Sequence, residues 1–242
     1  MTPILLIPAR MASTRLPGKA LADIGGVPMI VRVLRQAEAA GLGPVAVAAG
    51  EVEIAAVVRQ AGGLAVLTDP DLPSGSDRIH AALEKLDPER RHDVVINLQG
   101  DLPALDPVQI RVVAAALADS GADMATLAAE ILDPKERTNP SVVKAVVAWR
   151  QDGQLGRALY FSRAAVPSGE GPLFHHIGIY AYRRDALSRF VALPPSPLER
   201  REKLEQLRAL EANMSIAVAR VDTVPLSVDT QEDLDRARKI LA

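Results

Sequence analysis

The chain has no cysteine among its 242 residues. This absence excludes disulfide bonds, a thiolate nucleophile and a zinc site with sulfur ligands. An excess of charge of one sign is also lacking, because 28 Lys and Arg residues stand against 30 Asp and Glu residues, for a formal net charge of -2. We therefore do not expect binding to nucleic acid, which attracts strongly basic proteins through counterion release.

Long hydrophobic runs are missing as well. The first apolar run, residues 4–7, has no basic residue before it and is followed almost at once by Arg10, which is unlike a secretory signal. Runs such as residues 112–118 are far too short to span a bilayer. The sequence predicts a soluble, cytoplasmic protein with no stable insertion into a membrane.

The chain does contain enough apolar residues, 48% of the total, to build one α/β domain with a full core. In the first half, short aliphatic runs alternate with longer amphipathic segments. The expected strands are residues 4–7, 45–49, 64–67 and 93–98, and the expected helices are residues 29–40, 54–61, 79–86 and 107–120. This alternation predicts a mostly parallel sheet with helices on both faces.

After Met124 the pattern changes and predicts a mixed strand order. The strands expected there are residues 142–148, 177–182 and 216–221, the helices are residues 198–212 and 231–241, and residues 166–172 form a loop.

A loop with three cations follows the first strand. Arg10, Arg15 and Lys19 lie in a segment punctuated by proline and glycine, beyond the carboxyl end of a buried strand. Open α/β sheets bind ligands at that end, and the three cations suit the phosphates of a nucleoside triphosphate. The segment is not a Walker A loop, because Ala20 follows Lys19 where that motif has Ser or Thr. The alternative is that all three are ordinary solvated surface cations.

Two carboxylates follow later elements. Asp101 comes directly after a buried strand and is placed to bind Mg²⁺, although an Asp before Pro103 can equally cap a turn. Asp229 precedes the last helix, where Thr230 and Asp233 have the spacing of a capping box, so Asp229 is free for another role. If their elements are neighbours, Asp101 and Asp229 share one metal ion.

A third segment, residues 72–78, combines glycine and hydroxyl residues at a helix start with the cation Arg78. Its backbone N–H groups can hold a base or a ribose, although an ordinary capped helix start explains the same pattern.

Residues 8–19, 74–78 and 99–101 together resemble the 3-deoxy-manno-octulosonate cytidylyltransferase family, also called CMP-Kdo synthetases. Further segments match in the same order along nearly the whole chain. They are residues 139–144, 158–163, 176–180, 195–199, 204–208 and 228–230.

The resemblance implies an α/β, nucleotide-diphospho-sugar-transferase-like (Rossmann-like) fold with a mixed, mostly parallel sheet flanked by helices. It implies a single nucleotidyltransferase domain over residues 1–242, with a small dimerisation and sugar-binding lobe at roughly residues 133–200, and a homodimer. The implied reaction transfers CMP from CTP to the anomeric hydroxyl of 3-deoxy-D-manno-octulosonate (Kdo). It releases pyrophosphate and gives CMP-Kdo for lipopolysaccharide biosynthesis.

The resemblance also implies a role for each matching residue. The nucleotide would be bound by Arg10, Ser13, Arg15, Lys19, Ser74 and Arg78, and the cofactor Mg²⁺ by Asp101 and Asp229. Arg10, Lys19 and the two aspartates would be the catalytic set. The acidic sugar would contact Gln99, Arg163, His176, Tyr180, Glu205 and Gln206, with Arg163 on the sugar carboxylate.

The chain departs from the family pattern at a few positions. Leu102 replaces a glutamate beside Asp101, and Gly50 replaces an acidic residue often found after the second strand. Two other functions therefore stay open. One is a cytidylyltransferase for another acidic sugar, such as amino-Kdo or sialic acid, and the other is a non-catalytic module that binds nucleotide sugars.

Overall fold

The computed structural model describes residues 1–13 and 15–241. The strands are β1 (Pro3–Ala9), β2 (Asp23–Ile24), β3 (Val27–Pro28), β4 (Val45–Ala49), β5 (Leu64–Leu67), β6 (Val94–Asn97), β7 (Met124–Glu130), β8 (Lys144–Trp149), β9 (Leu155–Ser162), β10 (Phe174–Arg183) and β11 (Ile216–Val221). The helices are α1 (Met29–Ala39), α2 (Val52–Gln60), α3 (Gly75–Leu86), α4 (Pro107–Ser120), α5 (Pro134–Thr138), α6 (Arg184–Ala192), α7 (Pro197–Glu202), α8 (Leu207–Glu211) and α9 (Gln231–Leu241).

The chain divides into two compact units. The first combines Met1–Arg111 with Pro225–Ala242, and the second is Val112–Val224. Within the described residues, no helix has both the length and the apolar character needed to cross a membrane.

A parallel sheet forms the centre of the first unit, with the strand order β5-β4-β1-β6. Strand β1 lies between β4 and β6, and its residues Leu5, Leu6 and Ile7 are fully buried. Such continuous burial of an aliphatic run is typical of a strand covered by helices on both faces. Because the strands are parallel, the segments that follow Ala9, Ala49 and Asn97 leave the sheet at the same edge.

The last segment of the chain completes a small apolar core of the first unit. Val228, Leu234 and Ala237 pack there with Leu16 and Met29, which come from the opposite end of the sequence. The N–H of Val228 also donates to the carbonyl oxygen of Asp101 at 2.9 Å. Residue 229 is thereby held beside the segment that leaves β6.

The second unit contains a mixed sheet with the strand order β10-β7-β11-β9-β8, in which β10 also pairs with β8. Only β7 and β11 run parallel, and the other pairs are antiparallel. Most of β7 is buried, including Thr126, whose hydroxyl donates to the carbonyl oxygens of Ile177 and Ile179. The change to mixed strand order after Met124 is confirmed.

The expected strands and helices are largely confirmed, with boundary shifts of a few residues. The single helix expected over residues 198–212 is wrong. It is two helices, α7 and α8, because Lys203 takes a left-handed conformation with φ 56° that ends α7. The sequence patterns also do not single out β7 or β9. The single domain over residues 1–242 with a lobe at 133–200 stays a prediction.

Candidate functional site

The first unit contains an open cavity of about 360 Å³ at the carboxyl edge of its parallel sheet. Its lining comes from the loop after β1, the segment after β6, the start of α3 and the residue before the α9 cap. Every residue predicted for the nucleotide and the metal lines it, together with one predicted for the sugar: Arg10, Ser13, Arg15, Lys19, Ser74, Arg78, Gln99, Asp101 and Asp229.

Lys19 joins the two aspartates of this cavity. Its Nζ donates to Oδ2 of Asp101 at 2.7 Å and to Oδ1 of Asp229 at 2.9 Å. Arg15 adds an ion pair to the other oxygen of Asp229 at 3.1 Å. Both carboxylates therefore lie within hydrogen-bond reach of one nitrogen. The elements that carry them are neighbours, which is the condition under which the sequence predicts that they share one metal ion.

The charges of this cluster explain the protonation of Lys19. Burial alone would lower the pKa of its amine, but the attraction of Asp101 and the hydrogen bonds to Asp101 and Asp229 raise that pKa above its ordinary value. Lys19 is therefore a cation at neutral pH.

The donor set of Asp101 and Asp229 fits Mg²⁺ in one particular way. Mg²⁺ is usually bound by one or two carboxylates together with the phosphates of a substrate, and it keeps several waters. No group of three or more His, Cys, Asp or Glu side chains suitable for a metal ion occurs in the part of the chain that the structure describes. The two aspartates fit a cation shared with a substrate better than a metal held by protein alone.

The local geometry agrees with the prediction that Thr230 and Asp233 cap the last helix and leave the Asp229 carboxylate for another role. Thr230 Oγ1 accepts the N–H of Asp233 at 3.2 Å, and Asp233 Oδ2 accepts the N–H of Thr230 at 2.9 Å. These two residues close the start of α9 between them. The carboxylate of Asp229 is left to face Lys19 and Arg15.

Ser74 and Arg78 have structural partners at the other side of the cavity. Ser74 caps α3, because its Oγ accepts the N–H of Asp77 at 3.2 Å. The buried guanidinium of Arg78 donates to Thr68 Oγ1 at 2.7 Å and to the carbonyl oxygens of Asp69 and Pro70 at 2.9 and 3.0 Å. These three acceptors are uncharged, so Arg78 keeps its positive charge beside the cavity.

The predicted sugar residues other than Gln99 lie in the second unit. His176 Nε2 is 3.1 Å from the hydroxyl of Tyr180 and 3.1 Å from that of Thr126. Burial, with a smaller contribution from His175, lowers the pKa of His176 to about 3. Burial also raises the pKa of Tyr180 well above its ordinary value. Both side chains are therefore uncharged at neutral pH and suited to hydroxyl groups.

Arg163 is fixed by backbone oxygens. Its guanidinium donates to the carbonyl oxygens of Glu202, Pro140 and Lys203 at 2.9, 3.0 and 3.4 Å. The carboxylate of Glu202 in turn accepts the N–H of Arg163 at 3.0 Å and the hydroxyl of Ser162 at 2.8 Å. The hydrogen bonds of the Arg163 guanidinium thus go to carbonyl oxygens, while its charge helps to lower the pKa of the nearby Glu202 carboxyl.

Glu205 and Gln206 lie in the break between α7 and α8. Oε1 of Glu205 is 3.9 Å from Nη2 of Arg208. Gln206 is buried, and its Nε2 has no hydrogen-bond partner among the described residues. Both positions belong to the helix expected over residues 198–212, which Lys203 interrupts.

Sequence reasoning missed Glu51, the residue before α2. Its Oε2 accepts the N–H of Met11 in the cationic loop at 2.9 Å. The sequence signal was an acidic residue directly after the edge of the second parallel strand, but nothing in the sequence links it to Met11.

Of the departures from the family pattern, Leu102 is buried.

A parallel α/β sheet with a cationic loop, a helix start and two carboxylates at its carboxyl edge defines a protein that handles phosphorylated nucleotides. A family model described as cytidylyltransferase matches residues 4–216. A relative from Parvibaculum lavamentivorans is 67% identical over 99% of this chain and 93% of its own, and one from Rhodospirillum rubrum is 66% identical over 99% and 95%. Both are named 3-deoxy-manno-octulosonate cytidylyltransferase.

The chain therefore belongs to the 3-deoxy-manno-octulosonate cytidylyltransferase family, and the resemblance seen in the sequence is confirmed. A solved structure of CMP:2-keto-3-deoxy-manno-octonic acid synthetase complexed with CTP superimposes with a TM-score of 0.91. It is 38% identical and covers 99% of this chain and 98% of its own. The predicted fold class is confirmed by the same match.

Proposed function

We propose that this chain transfers CMP from CTP to the anomeric hydroxyl of Kdo and releases pyrophosphate. The proposal is supported by the names of its relatives and by the CTP bound in the structurally similar synthetase. The observation that carries it is the cavity in which Arg10, Arg15 and Lys19 meet Asp101 and Asp229. That arrangement combines cations for a triphosphate with the carboxylates that a divalent cation requires.

The nucleotide binds in this cavity of the first unit. Arg10, Arg15 and Lys19 bind the triphosphate, because they are the cations that line the loop end of the cavity. Ser13, Ser74 and Arg78 lie along the same lining and contact the rest of the nucleotide. Ser74 Oγ caps α3, so the positive end of the dipole of this helix lies at the cavity lining.

Asp101 and Asp229 would hold Mg²⁺ as the cofactor. The ion would supply a Lewis acid at the phosphates and would neutralise part of their charge. In the absence of substrate, Lys19 satisfies both carboxylates, and its flexible side chain lets the same cation turn to a phosphate.

The residues proposed to contact the acidic sugar are Gln99, Arg163, His176, Tyr180, Glu205 and Gln206. Arg163 binds the sugar carboxylate, since the acceptors of its guanidinium hydrogen bonds are backbone carbonyl oxygens and not carboxylate oxygens. The uncharged His176 and Tyr180 and the amide of Gln206 bind sugar hydroxyls. The buried, unpaired Nε2 of Gln206 supports this role, because such a group gains a partner when substrate binds.

The reaction needs positioning and charge neutralisation more than covalent chemistry by the protein. The anomeric hydroxyl attacks the α-phosphorus in line and loses its proton to solvent, the bond from that phosphorus to the oxygen bridging the α- and β-phosphates breaks, and pyrophosphate leaves. Arg10 and Lys19 stabilise the charge that develops on the phosphate oxygens. They are preorganised for this role because the loop that carries them is fixed to the sheet edge.

Pyrophosphate release tests the proposal directly. Wild-type protein is assayed with Kdo and Mg²⁺ and with CTP, UTP, ATP or GTP, and release is expected with CTP far above the other three. A second series replaces Kdo by amino-Kdo or sialic acid. CTP binding without Mg²⁺-dependent release with any of the three sugars would contradict the proposal and favour a non-catalytic module, whereas faster release with another sugar would change the acceptor.

We also propose a homodimer and a cytoplasmic location. Light scattering of the purified protein tests the homodimer, for which a mass near 25.8 kDa would be a contradiction.

A further inference from the structure

Two hydrogen bonds of the Met11 backbone hold the loop that follows β1. The N–H of Met11 donates to Oε2 of Glu51 at 2.9 Å, and the carbonyl oxygen of Met11 accepts the N–H of Gly18 at 3.2 Å. Met11 follows Arg10, and Gly18 precedes Lys19. Arg10 and Lys19 are the two cations proposed to stabilise the reacting phosphates. Each is therefore adjacent in sequence to a residue that takes part in these two hydrogen bonds.

The side chain of Glu51 serves this loop instead of its own helix. Glu51 is the N-cap residue of α2, but its side chain makes no cap hydrogen bond there. A carboxylate at this position normally stabilises the free N–H groups of the first helical turn. Here it reaches across to residue 11, which is 40 positions earlier in the chain.

The residue before Glu51 lets the two sides approach. Gly50 continues from β4, and its N–H donates to the carbonyl oxygen of Ala9 at 2.9 Å. A Cβ at position 50 would lie 2.9 Å from Nη1 of Arg78 and 3.4 Å from Cβ of Arg10. The absence of a side chain at Gly50 therefore lets Arg10 and Arg78 come close to this strand end.

Glu51 and Arg10 act in opposite directions on the charge of Arg78. Burial lowers the pKa of the Arg78 guanidinium, Arg10 adds to that change, and Glu51 and Asp69 oppose it. Glu51 thus combines an attraction for Arg78 with a directional hydrogen bond to the loop that carries Arg10.

We propose that Glu51 is a positioning residue for CTP, which holds the loop of Arg10 and Lys19 in its phosphate-binding arrangement through the Met11 N–H. The inference rests on the proposed function and adds a residue to it. Glu51 does not contact the nucleotide. It lowers the cost of ordering the loop when the phosphates bind.

Three substitutions at one position separate the hydrogen bond from the charge. Glu51→Gln keeps an oxygen that can accept the Met11 N–H and removes the charge. Glu51→Ala removes both, and Glu51→Asp keeps the charge on a side chain too short for the same contact. Glu53→Ala is the matched control, because Glu53 is exposed in the first turn of α2 and is also acidic.

Dissociation constants for CTP and for cytidine are measured by calorimetry. Because both substitutions leave the Met11 N–H without its acceptor, we expect Glu51→Ala and Glu51→Asp to weaken CTP binding about tenfold and cytidine binding less than about threefold. Glu51→Gln is expected to stay within about threefold of wild type for both ligands, and Glu53→Ala to match wild type. The KM for CTP rises in the first two variants while the KM for Kdo stays constant.

Other outcomes would overturn the inference. Equal losses for CTP and cytidine would mean a merely structural role, and Glu51→Gln behaving like Glu51→Ala would mean that charge alone matters. Tighter binding of CTP by Glu51→Ala would mean that Glu51 opposes the phosphates. If Glu51→Ala does not fold, Glu51→Asp gives the same comparison, and faster hydrogen exchange at the Met11 amide reports the lost bond. A wild type that binds CTP but releases no pyrophosphate refutes the proposed activity alone, and the CTP and cytidine constants still test Glu51.

Discussion

Nζ of Lys19 lies 2.9 Å from Oδ1 of Asp229, a residue 210 positions further along the chain. The same nitrogen also binds Asp101, so one cation satisfies both carboxylates proposed for Mg²⁺. A divalent cation and Lys19 are therefore competitors for the same oxygens until a nucleotide supplies phosphates for Lys19.

Replacing Lys19 by Met removes this internal competitor. In the absence of CTP, we expect Lys19→Met to bind Mn²⁺ about tenfold more tightly than wild type, because two carboxylates lose their neutralising cation. Paramagnetic resonance of free Mn²⁺ measures this directly and does not depend on turnover. The exposed Lys239→Met is the control. Unchanged or weaker Mn²⁺ binding by Lys19→Met would contradict the assignment of the metal ion to this pair of aspartates.

Replacing Asp101 by Asn tests the metal assignment from the other side. The amide keeps the shape of the side chain but loses the charge. We expect Mg²⁺-dependent pyrophosphate release to fall by more than the roughly 10- to 100-fold loss typical of a residue that only supports a metal ligand. The thermal midpoint should stay within a few degrees of wild type, as should that of the exposed control Asp235→Asn. Turnover near the wild-type rate would be incompatible with a role of Asp101 in the site.

Replacing Arg163 by Lys tests the sugar assignment with little loss of charge. An ammonium group cannot reproduce the separate bonds of the guanidinium to the carbonyl oxygens of Glu202 and Pro140, and it cannot bind a carboxylate in a bidentate manner. We expect the KM for Kdo to rise about tenfold or more and the dissociation constant of CTP to change less than about twofold. Initial-rate kinetics with each substrate varied in turn measures both. Equal changes for the two substrates would contradict the assignment.

The stability of the protein is expected to fall as the pH falls below about 6.5. Burial lowers the pKa of His175 to about 4 and that of His176 to about 3, so both are neutral in the folded protein where the unfolded chain binds protons. Each histidine then contributes a loss of up to about 1.4 kcal/mol per pH unit between its unfolded and folded pKa values. Urea unfolding at pH 7.5, 6.5 and 5.5 measures the slope. His176→Gln should flatten it, and an unchanged slope in that variant would contradict the buried, neutral state of His176.

Local signals in the sequence predict much of the fold. The apolar run of residues 4–7 and the capping spacing of Thr230 and Asp233 are signals between neighbours along the chain, and the structure agrees with the buried strand and the helix cap that they predict. The prediction of one helix over residues 198–212 is wrong because the helical spacing of leucines continues past Lys203. The left-handed conformation of Lys203 depends on packing, which this spacing does not encode.

The candidate site was less accessible to sequence reasoning. The motifs identify the residues that line the cavity, but the partners of Lys19 and Met11 lie 82, 210 and 40 positions away. Those distances are closed by the sheet and by the bond from Val228 to Asp101, which no spacing rule describes. Nor did the sequence indicate that Arg78 fixes the segment between β5 and α3.

The discontinuity of the first unit has a consequence for biosynthesis. Its sheet is complete in sequence by Arg111, but Asp229 and the apolar side chains of Val228 and Leu234 belong to the segment from Pro225 onward. While residues 112–224 are being translated, the nascent chain already contains the cationic loop and Asp101. It still lacks Asp229, the second carboxylate that pairs with Lys19. The pair of carboxylates proposed for a divalent cation is therefore complete only after the segment from Pro225 onward has been translated.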